Sequence, residues 1–266
     1  MGKRLRPVPD GDAARDRLLG HGAASVRAPP GLFVRGSAWI GGAQVFGPLD
    51  LRAEAGRWTC LLGPSGVGKS TLLRCLAGTA DGVTLNGDAG ATDGSPLVGR
   101  VSLMAQSDLL MPWLSVLENV VLGPRLRGQA VDAACARDIL ARVGLDGFEA
   151  RKPRALSGGQ RQRVALARTL MEDRPVVLLD EPFSALDVAT RARMQDLAAG
   201  ALRGRTVLHV THDPAEAARL GCRILILSKG GLDEVAAPAG PRPRPPDGED
   251  VLAATGRLTR LLVEAA

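Results

Sequence analysis

Trp58-Thr-Cys-Leu-Leu62 runs straight into Gly63-Pro64-Ser65-Gly66-Val67-Gly68-Lys69-Ser70, and Thr71-Leu-Leu-Arg-Cys-Leu76 follows before a glycine at position 78. The first segment is an apolar run of strand length, and the last has the length and the ending of a helix. The loop between them matches G-x-x-x-x-G-K-[ST] in the context that gives it meaning, directly after a strand and directly before a helix. Its glycines let the backbone curl so that N–H groups converge on phosphate oxygens, while the helix N-terminus adds positive potential. Lys69 is then placed to neutralise terminal phosphates and Ser70 to ligate Mg2+. A glycine-rich turn without a ligand is the plain alternative, and the flanking strand and helix count against it.

Outward from the loop, a second apolar strand, Val176-Val-Leu-Leu179, ends in Asp180-Glu181. Acids at the carboxyl end of a strand lie where ligands bind to a parallel sheet. Asp180 suits Mg2+, directly or through water, and Glu181 is free to deprotonate an attacking water. Alone, the pair reads as solvated strand-end acids; the phosphate loop upstream changes that reading. Leu156-Ser157-Gly158-Gly159-Gln160-Arg161-Gln162-Arg163 sets a Ser and two Gly before a helix predicted over 159–171. It forms a second anion-binding helix terminus, for which Ser157 also serves as N-cap.

Segments 100–104, 176–179, 206–210 and 223–227 read as strands and 159–171, 188–202 and 214–220 as helices, an alternation that predicts a parallel sheet. Residues 32–51, broken by glycines at 36, 41, 42 and 47, read as a β-meander, and 80–98 as loops or small strands. The pattern over 116–155 is helical, most clearly at 131–143. Residues 1–30 mix Pro, Gly, Arg and Asp without a period and read as a poorly ordered extension. The Pro-rich stretch 238–246 reads as a linker and 249–263 as a closing amphipathic helix.

Composition narrows the class. With 266 residues, 45% hydrophobic and 23% charged, the totals are those of a folded globular chain. The longest apolar runs, such as Ile224-Leu-Ile-Leu227, fall far short of the roughly 20 residues needed to span a bilayer. The net charge of +6 is spread over the chain and marks no concentrated basic face. Cys60, Cys75, Cys135 and Cys222 form no C-x-x-C pair, so neither a zinc site nor a disulfide framework is expected and a reducing compartment is. The basic opening Met1-Gly-Lys-Arg-Leu-Arg6 is not followed by the apolar core of a secretory leader before Pro29-Pro30. His21 and His209 read as structural or incidental.

Leu-Ser-Gly-Gly-Gln at 156–160, after a phosphate loop and before a strand ending in Asp-Glu, resembles the ATP-binding cassette (ABC) ATPases, over about three quarters of the chain. The resemblance implies an α/β fold of the P-loop NTPase type, with a RecA-like parallel-sheet core, an N-terminal antiparallel β-subdomain and an inserted α-helical subdomain at about 107–165. The ATPase domain would span 31–228, with 229–266 as linker and C-terminal helix. It implies that Gly63 to Ser70, with Thr71, cradles ATP, and that Asp180, Ser70 and Gln106 hold Mg2+. Gln106, in Met104-Ala-Gln-Ser, would also reach the attacking water, and Glu181 would be the general base. Asp187, in Ser184-Ala-Leu-Asp, would bridge subunits, and His212, in Thr211-His-Asp, would contact the γ-phosphate. Two chains would pair head to tail, so that Ser157, Gly158, Gly159 and Gln160 of one close on the nucleotide held by Lys69 of the other. A lone subunit would hydrolyse ATP poorly, because phosphoryl transfer needs charge neutralised on several sides. The family stacks adenine on an aromatic residue, commonly Tyr, and this chain has none. Trp39, 24 residues before Gly63, is the candidate, although matching Gly41-Gly42 to the family pattern puts Ile40 in that slot.

Ser107-Asp-Leu-Leu-Met-Pro112-Trp113-Leu-Ser-Val-Leu-Glu118-Asn119-Val120 resembles the segment by which importer ATPases of the nitrate, sulfonate, taurine and thiamine-precursor group meet their membrane subunit. Pro112 and Trp113 would form a rigid apolar knob; burial of Trp113 within its own helices is the alternative. The Met104-Ala-Gln variant leans toward hydroxymethylpyrimidine as substrate, ahead of a sulfonate- or nitrate-like anion. The expected assembly is a homodimer on the cytoplasmic face of the inner membrane, bound to permease subunits, served by a solute-binding protein and free of nucleic acid. The 37 residues after Lys229 are too few for the regulatory barrel of sugar-importer ATPases. A soluble ABC ATPase acting on ribosomes or DNA usually carries two cassettes or a long coiled coil. A non-enzymatic nucleotide-gated scaffold has no need of Lys69, Asp180, Glu181 and His212 together.

Overall fold

The computed structural model describes residues 28–265, so the predicted N-terminal extension, save its last three residues, and His21 lie outside the described residues. Strands β1 (Leu32–Ile40), β2 (Ala43–Ala53) and β3 (Trp58–Leu62) lead into helix α1 (Lys69–Ala77), followed by β4 (Val83–Ala91) and β5 (Val101–Met104). The helical region holds α2 (Val116–Val120), α3 (Leu122–Leu126), α4 (Ala133–Arg142), a 3-10 turn (Pro153–Ala155) and α5 (Gly158–Met171). Then come β6 (Val176–Asp180), α6 (Val188–Ala201), β7 (Thr206–Val210), α7 (Pro214–Leu220), β8 (Arg223–Ser228), β9 (Gly231–Val235) and α8 (Glu249–Glu264).

Two sheets form. One is antiparallel, in the order β2-β1-β4; the other runs β5-β6-β7-β3-β8-β9, parallel except for the β8–β9 pair. Strands β3, β6 and β7 are buried along their whole length, because both faces of a parallel sheet are covered and no residue can be spared for water. Leu61, Val176, Leu178 and Leu208 face one apolar cluster with α1 and the antiparallel sheet, through Leu72, Leu73, Leu32 and Phe46. Their strand neighbours Cys60, Leu62, Val177 and Val207 face the opposite cluster, with α5, α6, α7 and α8.

The structure differs from the sequence reading in three places. Residues 83–91, read as loops or small strands, form one nine-residue strand paired to β1 from Leu32↔Ala91 to Ile40↔Val83. Its polar, Gly-rich composition has a steric reason: a Cβ on Gly87 would sit 2.0 Å from the Arg35 carbonyl oxygen, and one on Gly36 2.1 Å from that of Asn86. Residues 231–235 add an edge strand to the main sheet, pinned where Arg223 bridges Glu234 at 2.5 Å. The Pro-rich stretch read as a linker is packed. Arg244 is 3% exposed and donates to the carbonyls of Ala218 at 2.7 Å and Gly221 at 3.0 Å, and to that of Pro238. Arg219 returns a bond to the Arg244 carbonyl at 2.9 Å, so the segment is tied to α7.

Candidate nucleotide site

The loop between β3 and α1 is a tight turn that only glycine at its ends can make. A Cβ on Gly63, at φ 156°, would lie 2.4 Å from the Leu227 carbonyl oxygen. Gly68, at φ 102°, lies against Val45 and Phe46 of β2, which brings the antiparallel sheet beside the loop. Lys69 is nearly buried and donates to the carbonyls of Gly63 at 2.7 Å and Pro64 at 2.8 Å. Burial lowers its pKa, while Glu181 and Asp180 work to keep it charged.

Asp180 ends β6 beside the loop. Burial raises its carboxyl above the usual range, against the pull of a hydrogen bond from Ser70, and its Oδ1 has no hydrogen-bond partner among the described residues. A buried carboxylate oxygen left open beside a hydroxyl and an ammonium fits a divalent cation completed by phosphate oxygens.

Glu181 is the convergence point. Its Oε1 lies 3.1 Å from His212 Nδ1, and its Oε2 accepts from Gln106 Nε2 at 3.3 Å. Three residues picked from separate stretches of sequence thus meet at one carboxylate, because β5, β6 and β7 are adjacent in the sheet and end at the same edge. Glu181 has φ 49°, in the left-handed region uncommon for a side-chain-bearing residue. Its N–H bonds the Val210 carbonyl at 2.9 Å.

Gln162 holds the other side of this turn, and the sequence reading missed it. Its amide nitrogen donates to the Glu181 carbonyl at 3.0 Å and to Ser184 Oγ at 3.2 Å, and its oxygen accepts from Ala185 N at 2.9 Å. The available signal was a Gln on the buried stripe of α5, four residues before Leu166 and eight before Leu170.

Ser157 caps α5, with Gln160 N donating to Ser157 Oγ at 3.2 Å and Ser157 N to Gln160 Oε1 at 2.8 Å. The side-chain oxygen of Gln160 is therefore engaged within its own chain. Ser157 and Gly158 are exposed, and the nearest atom to a Cβ on Gly158 is an Arg161 nitrogen at 3.9 Å, so the turn faces outward. Asp187 caps α6 through Thr190 N at 3.0 Å, which lowers its pKa, and next to it Val188 is 82% exposed.

Trp113 is 67% exposed, which removes the reading of it as a core residue of the helical region. Its turn is held from beneath by the buried Asn119, which accepts from Met111 N at 2.8 Å and donates to the carbonyls of Met111, Leu114 and Ser115. Arg168 fixes the preceding residues through the carbonyls of Asp108 at 2.7 Å and Leu109 at 2.8 Å.

Trp39 and Ile40 lie on opposite faces of β1. β1 pairs with β4 without a register shift, so Ile40 shares the face of Ala38 and Val34, toward the cluster that includes α1, and Trp39 lies on the other face. Ile40 is 42% exposed at the strand end. No helix among the described residues is long and apolar enough to cross a membrane.

Residues 46–184 match the family model described as ABC transporter. The thiamine import ATP-binding protein ThiQ of Mesorhizobium japonicum is 48% identical over 207 residues, covering 72% of this chain and 81% of that protein. The aliphatic sulfonates import ATP-binding protein SsuB 1 of Rhodococcus jostii is 46% identical over 198 residues, covering 74% and 78%. Among solved structures, the dimer of MJ0796, a bacterial ABC transporter cassette, aligns with a TM-score of 0.67 and 29% identity over 77% of this chain and 99% of that one. Its dimeric post-hydrolysis state bound to ADP and Pi gives 0.65. With the phosphate loop and the acid pair brought to a shared sheet edge, this chain belongs to the ABC transporter family as an ATP-binding, ATP-hydrolysing cassette.

Proposed function

We propose that the chain is the ATPase subunit of an importer for a small solute and works as a head-to-tail homodimer at the cytoplasmic face of the membrane. Lys69 and the loop from Gly63 to Thr71 hold the triphosphate, and Ser70, Asp180 and Gln106 hold Mg2+. When bound, the metal supplies charge neutralisation between the phosphates. Glu181 takes the proton of the attacking water while Gln106 and His212 fix its two oxygens, a geometry the 3.3 and 3.1 Å contacts support. Lys69 leaves its own loop carbonyls for phosphate oxygens. Ser157, Gly158, Gly159 and Gln160 of the second copy complete the pocket, and Asp187 meets that copy nearby. In this reading Ile40, and not Trp39, lies against the adenine.

The exposed Trp113 with Pro112 docks a membrane permease, held rigid by Asn119. Relatives named for thiamine import and for aliphatic sulfonate import support a substrate such as a thiamine precursor, hydroxymethylpyrimidine, or a sulfonate-like anion, delivered by a solute-binding protein.

The observation that carries the reading is the meeting of Gln106, Glu181 and His212 next to the phosphate loop. Glu181→Gln keeps the shape and removes the base, so the variant binds MgATP, releases phosphate at least about a hundredfold more slowly and elutes as a dimer on size exclusion with ATP. Turnover near the wild-type rate would refute the assignment.

A further inference from the structure

His212 sits in a turn whose direction is set from behind by groups that touch no nucleotide. Thr211 has one hydroxyl proton, which it donates to Glu216 Oε2 at 2.8 Å, and its oxygen accepts from Asp213 N at 3.0 Å. The residue between them is His212. Glu216 is 4% exposed, and His209, fully buried in β7, brings Nε2 to 3.4 Å from the same oxygen, Oε2. Trp58 Nε1–H donates to His209 Nδ1 at 3.4 Å, and His209 Nε2, on the Glu216 side, makes no hydrogen bond among the described residues. Phe183, two residues after Glu181, lies edge-on to the same imidazole at 5.7 Å.

Arg191 of α6 joins this cluster to the subunit-bridging turn. It reaches Asp213 Oδ2 at 3.4 Å and the Leu186 carbonyl at 3.0 Å, with Glu216 Oε1 4.0 Å away. Burying a carboxylate costs several kcal/mol unless it is bonded. Here burial pushes Glu216 up, and His209, Thr211 and Arg191 together hold it below the usual glutamate range.

We propose that Glu216, packed beside the buried His209, is a positioning residue for hydrolysis: through the Thr211 hydroxyl it fixes the turn that aims His212 at Glu181 and the γ-phosphate. This rests on the role given to His212 above.

Steady-state phosphate release by the full chain separates the two. Thr211→Val keeps the shape and removes the hydroxyl, with its bond to the charged Glu216 and its bond from Asp213 N; kcat falls about tenfold, with KM for MgATP unchanged. Thr211→Ser restores kcat. Glu216→Leu lowers kcat to a similar degree, and the double variant falls no further, since both changes cut one link. Additive losses, or wild-type kcat in Thr211→Val beside an impaired His212→Ala, overturn the proposal and leave the site assignment standing. Wild-type kcat in His212→Ala overturns the site assignment itself. Should Glu216→Leu fail to fold, Thr211→Val against Thr211→Ser decides.

Discussion

Gln162→Ala is the sharpest test of how the catalytic turn is held. The substitution deletes three hydrogen bonds, to the Glu181 carbonyl, Ser184 Oγ and Ala185 N, at 2.9 to 3.2 Å. At about 1 kcal/mol each the gross loss is about 3 kcal/mol. Ser184 and Ala185 are exposed and rebond to water, which brings the net cost to about 2 kcal/mol. For a chain of this size that is a fall of about 4–8 °C in melting temperature. The function suffers as well. Glu181 sits at φ 49°, a conformation that costs about 1–3 kcal/mol and persists only while its surroundings impose it. Without Gln162 the turn relaxes, the carboxylate drifts from Gln106 and His212, and kcat drops about tenfold with KM for ATP little changed. Thermal melting and phosphate release on the same preparation check both halves. Wild-type kcat in a variant that melts several degrees lower would show that Gln162 staples the fold and does not hold the base.

Three other outcomes follow from the geometry. Ile40→Tyr supplies the ring that the chain lacks on the loop-facing side of β1, so KM for ATP falls about fivefold while Trp39→Ala leaves it unchanged; the opposite result returns Trp39 to the adenine. Trp113→Ala removes an exposed side chain, so the protein melts at the wild-type temperature yet no longer co-purifies with its membrane subunits; a lowered melting point would make Trp113 a core residue after all. Glu216 is held below the ordinary glutamate value, so its contribution to stability is present above that value and is lost as pH falls through the folded one. The gap in urea midpoint between wild type and Glu216→Gln is therefore wide at pH 7 and closes below about pH 4.5; a gap constant with pH contradicts the ionic seat.

The sequence by itself determined the phosphate loop, the acid pair and the signature turn, because each is a local pattern whose function depends on backbone geometry within a few residues. It also determined the alternation of strands and helices that makes the main sheet parallel. What it left undecided depends on partners far along the chain. Strand β4 reads from the sequence only as loops or small strands, because its glycines answer to a close approach by β1, about 50 residues earlier, and not to local propensity. The edge strand β9 and the packed Pro-rich segment are held by Arg223 and Arg244 reaching other elements. The choice between Trp39 and Ile40 is one of parity, and parity needs the register against β4 before either residue can be given a face. Likewise Gln162, Glu216 and His209 are a polar residue on an apolar stripe, a helix glutamate and a strand histidine until folding buries them against Glu181 and Thr211. Local hydrogen-bonding geometry is written along the chain, whereas which buried polar group meets which is fixed only when the sheet brings distant strand ends to one edge.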